Sequence, residues 1–230
     1  GLGLAAGTVE RAPVSAWERR SLAFWEVAAS AGLPSLAVGW WASGPWPGAE
    51  VVENREVLAR AASGLDADAV AISEFERRAP GKSIATVYLP SADILRGDPA
   101  ARRQALSRLR SKLESLIGRA RGGELALVVI AADSHPSSAS HGRMVVFDGG
   151  AAALSIPIRP FDVAPSILAR AGIPAARDLA GQAAAALFPP GVRETATVET
   201  YGDRIAPGAL RRRETDREYL EKLKSLGYLN

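Results

Sequence analysis

The sequence predicts an α/β layer fold in one domain covering residues 1–230, and three observations predict it. Apolar extended runs alternate along the chain with stretches of helical periodicity. The strongest of those runs, Leu36–Trp41 and Leu125–Ala131, carry no charge and read as strands buried on both faces. A 230-residue chain without cysteine buries about 70% of its unfolded surface, enough for a hydrophobic core without disulfides.

From Ser15 to Ala31, Trp17, Leu22, Trp25, Ala28 and Ala29 recur near helical spacing. Gly32 and Pro34 close that helix as a C-terminal glycine and a following proline do. The Leu36–Trp41 strand follows, then a loop marked by the breakers Ser43–Gly48. Asn54–Ala62 reads as a short helix and Leu65–Ala79 as a second of weaker pattern. Ser83–Leu89, rich in β-branched and aromatic residues, reads as a strand. Asp98-Pro99 supplies an N-cap and a first-turn proline. The helix it starts carries Ala105, Leu106, Leu109, Leu113, Leu116 and Ile117 on one face, and arginines 102, 103, 108, 110 and 119 form a solvated face on or near the other. Gly122-Gly123 breaks the chain before the third buried strand, Leu125–Ala131, and Arg143–Phe147 is a fourth, shorter one. Phe161–Ala171 reads as a helix in which Pro165 is tolerated only in the first turn, with Gly172 ending it. In the tail, Thr215–Leu226 places Tyr219, Leu220, Leu223 and Leu226 on one helix face.

Composition excludes several classes of function. Zero cysteine removes thiolate metal sites and thiol nucleophiles. No apolar run reaches the roughly 18 residues that span a bilayer, and GLGLAAG at the start lacks the basic flank of a signal peptide. The net charge of +3 rests on 24 arginines against 4 lysines, spread over many segments and not interleaved with aromatics. That distribution argues against nucleic acid as a partner. Gly-x-Ser-x-Gly, Gly-x-Gly-x-x-Gly after a strand and a Walker loop are all missing from the sequence.

Ligands of an open α/β sheet bind beyond the carboxyl ends of its strands, so the residues just after each strand are the candidates. Asp93 follows the second strand; Asp133 and His135 follow the third, with His141 six residues beyond His135. Carboxylate and imidazole are the donors a divalent metal takes in an N/O site. Structural readings stand beside these: strand-end aspartates also cap loops, and both histidines serve equally as loop residues. Trp40, Trp41 and Trp46 are open between lining a substrate cleft and packing the core.

In order, these residues resemble the C-terminal portion of the alkaline phosphatase superfamily, in its type I phosphodiesterase/nucleotide pyrophosphatase and sulfatase-like branch. The resemblance runs from about residue 15 to the end. It is carried by Arg20–Trp25 with Val38-Gly39-Trp40-Trp41, by Val87-Tyr88-Leu89 with Asp93, and by Leu127–Ile130 with Asp133. More specific are Asp162-Val163-Ala164-Pro165-Ser166-Ile167-Leu168 with Gly172-Ile173-Pro174 and Asp178-Leu179-Ala180-Gly181, and the tail Tyr219-Leu220 with Leu223–Leu229.

The resemblance implies a three-layer α/β/α sandwich with a mostly parallel central sheet whose N-terminal part precedes Gly1. It implies a hydrolase of phosphate or sulfate esters, acting on a small anionic ester through two divalent ions, usually zinc, and an extracytoplasmic setting. Paired ions neutralise the anionic group and activate the nucleophile. The matching ligands are Asp93, Asp133 and His141, with His135 offset by one. The family's nucleophile and first metal Asp precede Gly1, Gly97 stands where it carries a histidine, and Ser134 stands where its signature histidine follows Asp133. Two metals need about six or seven ligands, so the chain is expected to be catalytically incomplete, either a weakened hydrolase or a non-catalytic scaffold or binding module keeping the fold. Asp93 and Asp133 are expected at one rim of a shared parallel sheet, with His141 toward them. An uncovered N-terminal side would also leave apolar surface exposed and favour self-association.

Overall fold

The computed structural model describes residues 19–131, 142–149, 153–184, 197–204, 221, 224 and 225. In chain order its elements are α1 (Phe24–Ser30), β1 (Ser35–Val38), β2 (Ala49–Val52), α2 (Asn54–Arg60), α3 (Ala67–Arg78), β3 (Ile84–Val87) and α4 (Ser91–Ile94). Then come α5 (Pro99–Arg121), β4 (Ala126–Ala131), β5 (Gly142–Asp148), β6 (Leu154–Ile158), α6 (Pro160–Arg170), β7 (Ala175–Ala176) and β8 (Thr197–Val198). This is a mixed α/β architecture.

The first sheet is parallel, in the order β2-β1-β3, with Val38 level with both Val52 and Val87. β1 is central and all four of its residues are fully buried. Side chains alternate across a strand, and here each face has its own partner. Leu36 and Val38 pack with Val57 of α2 and Ala71 of α3. Ala37 packs with Phe24, Trp25 and Ala28 of α1 and Leu168 of α6.

Helix α1 is shorter than the periodicity from Ser15 implies. Residues 19–23 are not helical: Ser21 bridges Asp203, and the Arg204 amide donates to the Arg20 carbonyl. The fully buried Glu26 explains the late start. Its carboxylate accepts from the Ala23 amide at 2.9 Å, from Arg19 Nη2 at 2.6 Å and from the buried Arg204 Nε at 3.1 Å, so the chain before α1 is held extended around a buried ion cluster. At their other ends α1 and α6 stop alike, in Ala-Gly-Leu-Pro and Ala-Gly-Ile-Pro. Gly32 and Gly172 take the left-handed conformation, and the next amide returns to Ala28 or Leu168. Leu33 and Ile173 thereby enter the same core cluster.

The second sheet is antiparallel, β4-β5-β6. This corrects the reading of Leu125–Ala131 as a third buried strand of a parallel sheet. β4 lies at an edge, with Ile130 37% exposed; its Val128 packs with Met144, Val146, Ile158 and Val163. β5 is longer than Arg143–Phe147, and no sequence pattern marks β2 or β6. β2 has four residues and a charged one among them; β6 contains Pro157, which suits an edge strand lacking one ladder donor.

Helix α5 begins as expected, with Asp98 Oδ1 accepting the amides of Ala100 and Ala101 at 3.0 Å. Its apolar face is only partly covered: Ala105 and Ala120 are buried, while Leu106 is 49% exposed. Pro165 sits in the second turn of α6, not the first. The amide it lacks would have bonded the Phe161 carbonyl, and Gly181 lies against that carbonyl so closely that a methyl there would overlap it. Asp162 accepts the Gln182 amide and Ser166 Oγ the Ala184 amide, both at 2.9 Å. The Asp162–Ser166 motif is therefore a dock for residues 181–184. In the tail, residues 221, 224 and 225 are helical and exposed; Tyr219, Leu220, Leu223 and Leu226 lie outside the described residues.

Candidate functional site

Because β1, β2 and β3 run parallel and in register, their carboxyl ends deliver Gly39–Trp41, Glu53-Asn54 and Tyr88–Asp93 to one rim. Gly39 makes this possible. It has φ +73°, and a Cβ added there would stand 3.0 Å from the Tyr88 carbonyl oxygen, so only glycine lets the two loops approach. The buried Asn54 donates from Nδ2 to the Gly39 carbonyl at 2.7 Å, tying the third loop in.

Of the candidates, Trp40, Trp41 and Asp93 come together at this rim. Trp40 is half-buried among the rings of Phe24, Trp25 and Tyr88, with centroids 5.5–6.2 Å away, and its indole N–H donates to Thr86 Oγ1 at 3.1 Å. Trp41 packs beside Leu58, Ala61, Ala67 and Ile94 and hydrogen-bonds Tyr88. The Tyr88 hydroxyl donates to Asp93 Oδ2. Burial chiefly, then that hydrogen bond and the Asp93 charge, push the Tyr88 pKa well above the ordinary tyrosine range, so the phenol stays a proton donor. Asp93 Oδ1 stands 3.6 Å from Arg96 Nη2, and 37% of the Asp93 side chain is exposed. The outcome is an oriented carboxylate at the mouth of an aromatic floor.

A second layer holds the turn that carries Asp93. Asp68, buried at the start of α3, accepts the Ser91 amide at 2.8 Å; Ser91 Oγ accepts the Asp68 amide at 3.3 Å and donates to the Gly64 carbonyl at 2.7 Å. Two helix starts thus satisfy each other's orphan amides. Burial raises the Asp68 carboxyl above its ordinary value, opposed by the Ser91 bonds. Sequence reasoning reached Ser91 as a residue after the strand but not Asp68, which lies 23 positions away with no periodic signal linking them.

Asp133, His135 and His141 lie outside the described residues. The strands leading toward Asp93 and Asp133 belong to different sheets, which corrects the expectation of one shared parallel sheet. Among the described residues no three acidic or histidine side chains gather as a metal site. Asp93 is partly open to solvent with one oxygen hydrogen-bonded to Tyr88, and because zinc takes three or four protein ligands, Asp93 would need partners from beyond the described residues to hold it. No helix in the described part is long and apolar enough to cross a membrane. Comparison with protein-family models, with curated proteins and with solved structures finds no match to this chain.

Proposed function

We propose that the chain is a domain of the alkaline phosphatase superfamily, in the phosphate- or sulfate-ester class, that keeps the fold and is catalytically incomplete. The observation that carries the reading is the rim itself: Trp40, Trp41, Tyr88 and Asp93 meet where parallel strands end, the place where α/β folds bind ligands. The proposed architecture is a three-layer α/β/α sandwich. Support comes from α1 and α6 sharing one core cluster against β1 while α2 and α3 pack its opposite face.

In this reading Tyr88 orients Asp93, and Trp40 and Trp41 give the rim a rigid aromatic floor for a small anionic ester. A divalent ion, when bound, would supply charge neutralisation. Gly97 and Ser134 stand at positions where that class carries histidines, which is why turnover is expected to be weak or nil.

The test joins zinc titration by calorimetry to assays with p-nitrophenyl phosphate, its bis-diester and p-nitrophenyl sulfate under zinc or manganese. The expected result is at most one zinc per chain, weakened at least tenfold by either Asp93→Ala or Asp133→Ala, with little or no hydrolysis. Two zinc ions at micromolar affinity, with turnover abolished by Asp133→Ala, overturn the incompleteness. Zinc binding that ignores both substitutions overturns the kinship. The engagement of Trp40 and Tyr88 in core packing favours a non-catalytic binding module as the second reading, and Asp133-dependent turnover eliminates it.

A further inference from the structure

The loop that follows β1 is held by two arginines remote from it in sequence. Arg19 Nε donates to the Ala42 carbonyl at 3.2 Å. Arg204 Nη2 donates to the Pro45 carbonyl at 3.3 Å, and its guanidinium lies 5.7 Å over the Trp46 ring. Both guanidiniums also donate to the same oxygen of Glu26. Ala42 has φ +51°, a left-handed conformation that a residue with a Cβ keeps only where its surroundings over-determine it. Trp40 is fixed separately, by its ring neighbours and by Thr86. The two pins therefore act on Ala42–Pro47, the part of the loop beyond the rim tryptophans.

Arg204 reaches this loop from a strap, residues 197–204. Thr197 and Val198 pair with the two-residue β7, Tyr201 donates its hydroxyl to the Pro174 carbonyl, and Asp203 bridges Ser21. Within the strap Arg204 is the one buried residue and Tyr201 the one half-buried; the other six are exposed. A segment with so few buried contacts belongs to the low-stability end of a structure. The charge arrangement favours release as well. A buried carboxylate stripped of its partner is costly, but Glu26 keeps Arg19 at 2.6 Å and the Ala23 amide at 2.9 Å when Arg204 leaves. Arg204 itself passes to water.

We propose that the strap is a latch on the rim loop. With Arg204 docked on Glu26, Ala42–Pro47 is fixed; with the strap lifted, that part of the loop is freed while Trp40 stays in place. The order of one border of the rim is thereby set by a segment more than 150 positions away. The latch itself needs no ligand, and only its bearing on binding rests on the reading of the rim as a ligand site.

The experiment is ¹⁵N relaxation on the full chain without ligand, so its outcome is independent of the ester chemistry. The probes are the backbone amides of Ala42, Ser43, Gly44 and Trp46 and the indole N–H of Trp40 and Trp46. In the native chain the loop amides are expected near the rigid order parameter of about 0.85, and in R204M below about 0.6. The Trp46 indole loosens with them, and the Trp40 indole and the amides of α2, α3 and β3 stay rigid. Y201F severs the strap's bond to Pro174 without touching the loop, so a latch requires it to lower the same order parameters, by less. R177Q removes an exposed ion pair to Glu199 on the strap and leaves them unchanged, since such pairs contribute little. A loop that stays rigid in R204M overturns the proposal, as does order lost equally in α2, α3 and β3. A loop loosened by R204M but not by Y201F makes Arg204 a local pin and overturns the strap as a latch. Y201F decides alone where R204M fails to fold.

Discussion

Strands β1 and β4 are of nearly equal apolarity, Ser-Leu-Ala-Val against Ala-Leu-Val-Val-Ile-Ala, yet their circumstances are opposite. β1 has a parallel neighbour on each side and helices over both faces, and every residue is buried. Among the described residues β4 has one antiparallel neighbour, and it leaves Ala126, Ile130 and Ala131 exposed. Hydrophobicity makes a strand; its place in the sheet decides what that strand is worth. The contrast extends to the helices: α1 buries five of its seven residues, whereas α5 buries two of 23.

Substitutions sharpen this contrast. The largest loss is expected from Leu36→Ala, about 4 kcal/mol by urea unfolding, because the surrounding β1, α2 and α3 side chains cannot collapse into the cavity. A loss below about 1 kcal/mol would mean the parallel sheet is not the stable centre. Next comes Glu26→Ala, about 3 kcal/mol, since Arg204 is left buried without its carboxylate. Its partner experiment is Arg204→Met, which should cost less than Glu26→Ala if the penalty is the stranded charge; equal costs would assign it to packing.

Asp68→Asn probes the second layer under the rim through pH. Burial raises the folded-state pKa of Asp68 above the ordinary value of 3.8. Its contribution is therefore fully present in acid below that value and is lost as pH rises through the folded-state pKa, because only the folded chain resists ionisation. The amide side chain of the variant keeps an acceptor for the Ser91 N–H and has no charge to bury. The variant should gain on the native chain as pH rises, read by paired denaturant titrations; a difference flat in pH would show that Asp68 is well solvated. The smallest effect is expected for Ile130→Ala, below about 1 kcal/mol, because that side chain is 37% exposed at a sheet edge. A loss matching Leu36→Ala would erase the difference between the two strands.

Much of the local structure was legible. Asp98-Pro99, Gly32 and Gly172 act on their immediate neighbours through backbone conformation and missing amides, so their effect is written in adjacent letters. The same local logic placed β1, β3, α2 and α3 and put Asp93 just past a strand end, but it ran the first strand through Trp41, whereas β1 stops at Val38 and Trp40 and Trp41 belong to the loop beyond it. It failed where the decisive partner is remote. Pro165 sits inside α6 where the remote Gly181 lies against the Phe161 carbonyl it leaves without an amide, and residues 19–23 are extended because Arg204, 178 positions beyond Glu26, completes a buried ion cluster.

The order of apolar runs and breakers determined by itself that helices and strands alternate, and where most of them start and stop, because those choices are made over a few residues by sterics and capping. Only the tertiary structure decided which strands share a sheet, since β1 and β4 look alike in one dimension and pairing depends on which edges meet in three. It also decided that Asp93 is held by Tyr88 above a clasp of Asp68 and Ser91: a hydrogen bond needs its two atoms within about 3 Å, and nothing in the linear spacing of 23 residues supplies that distance.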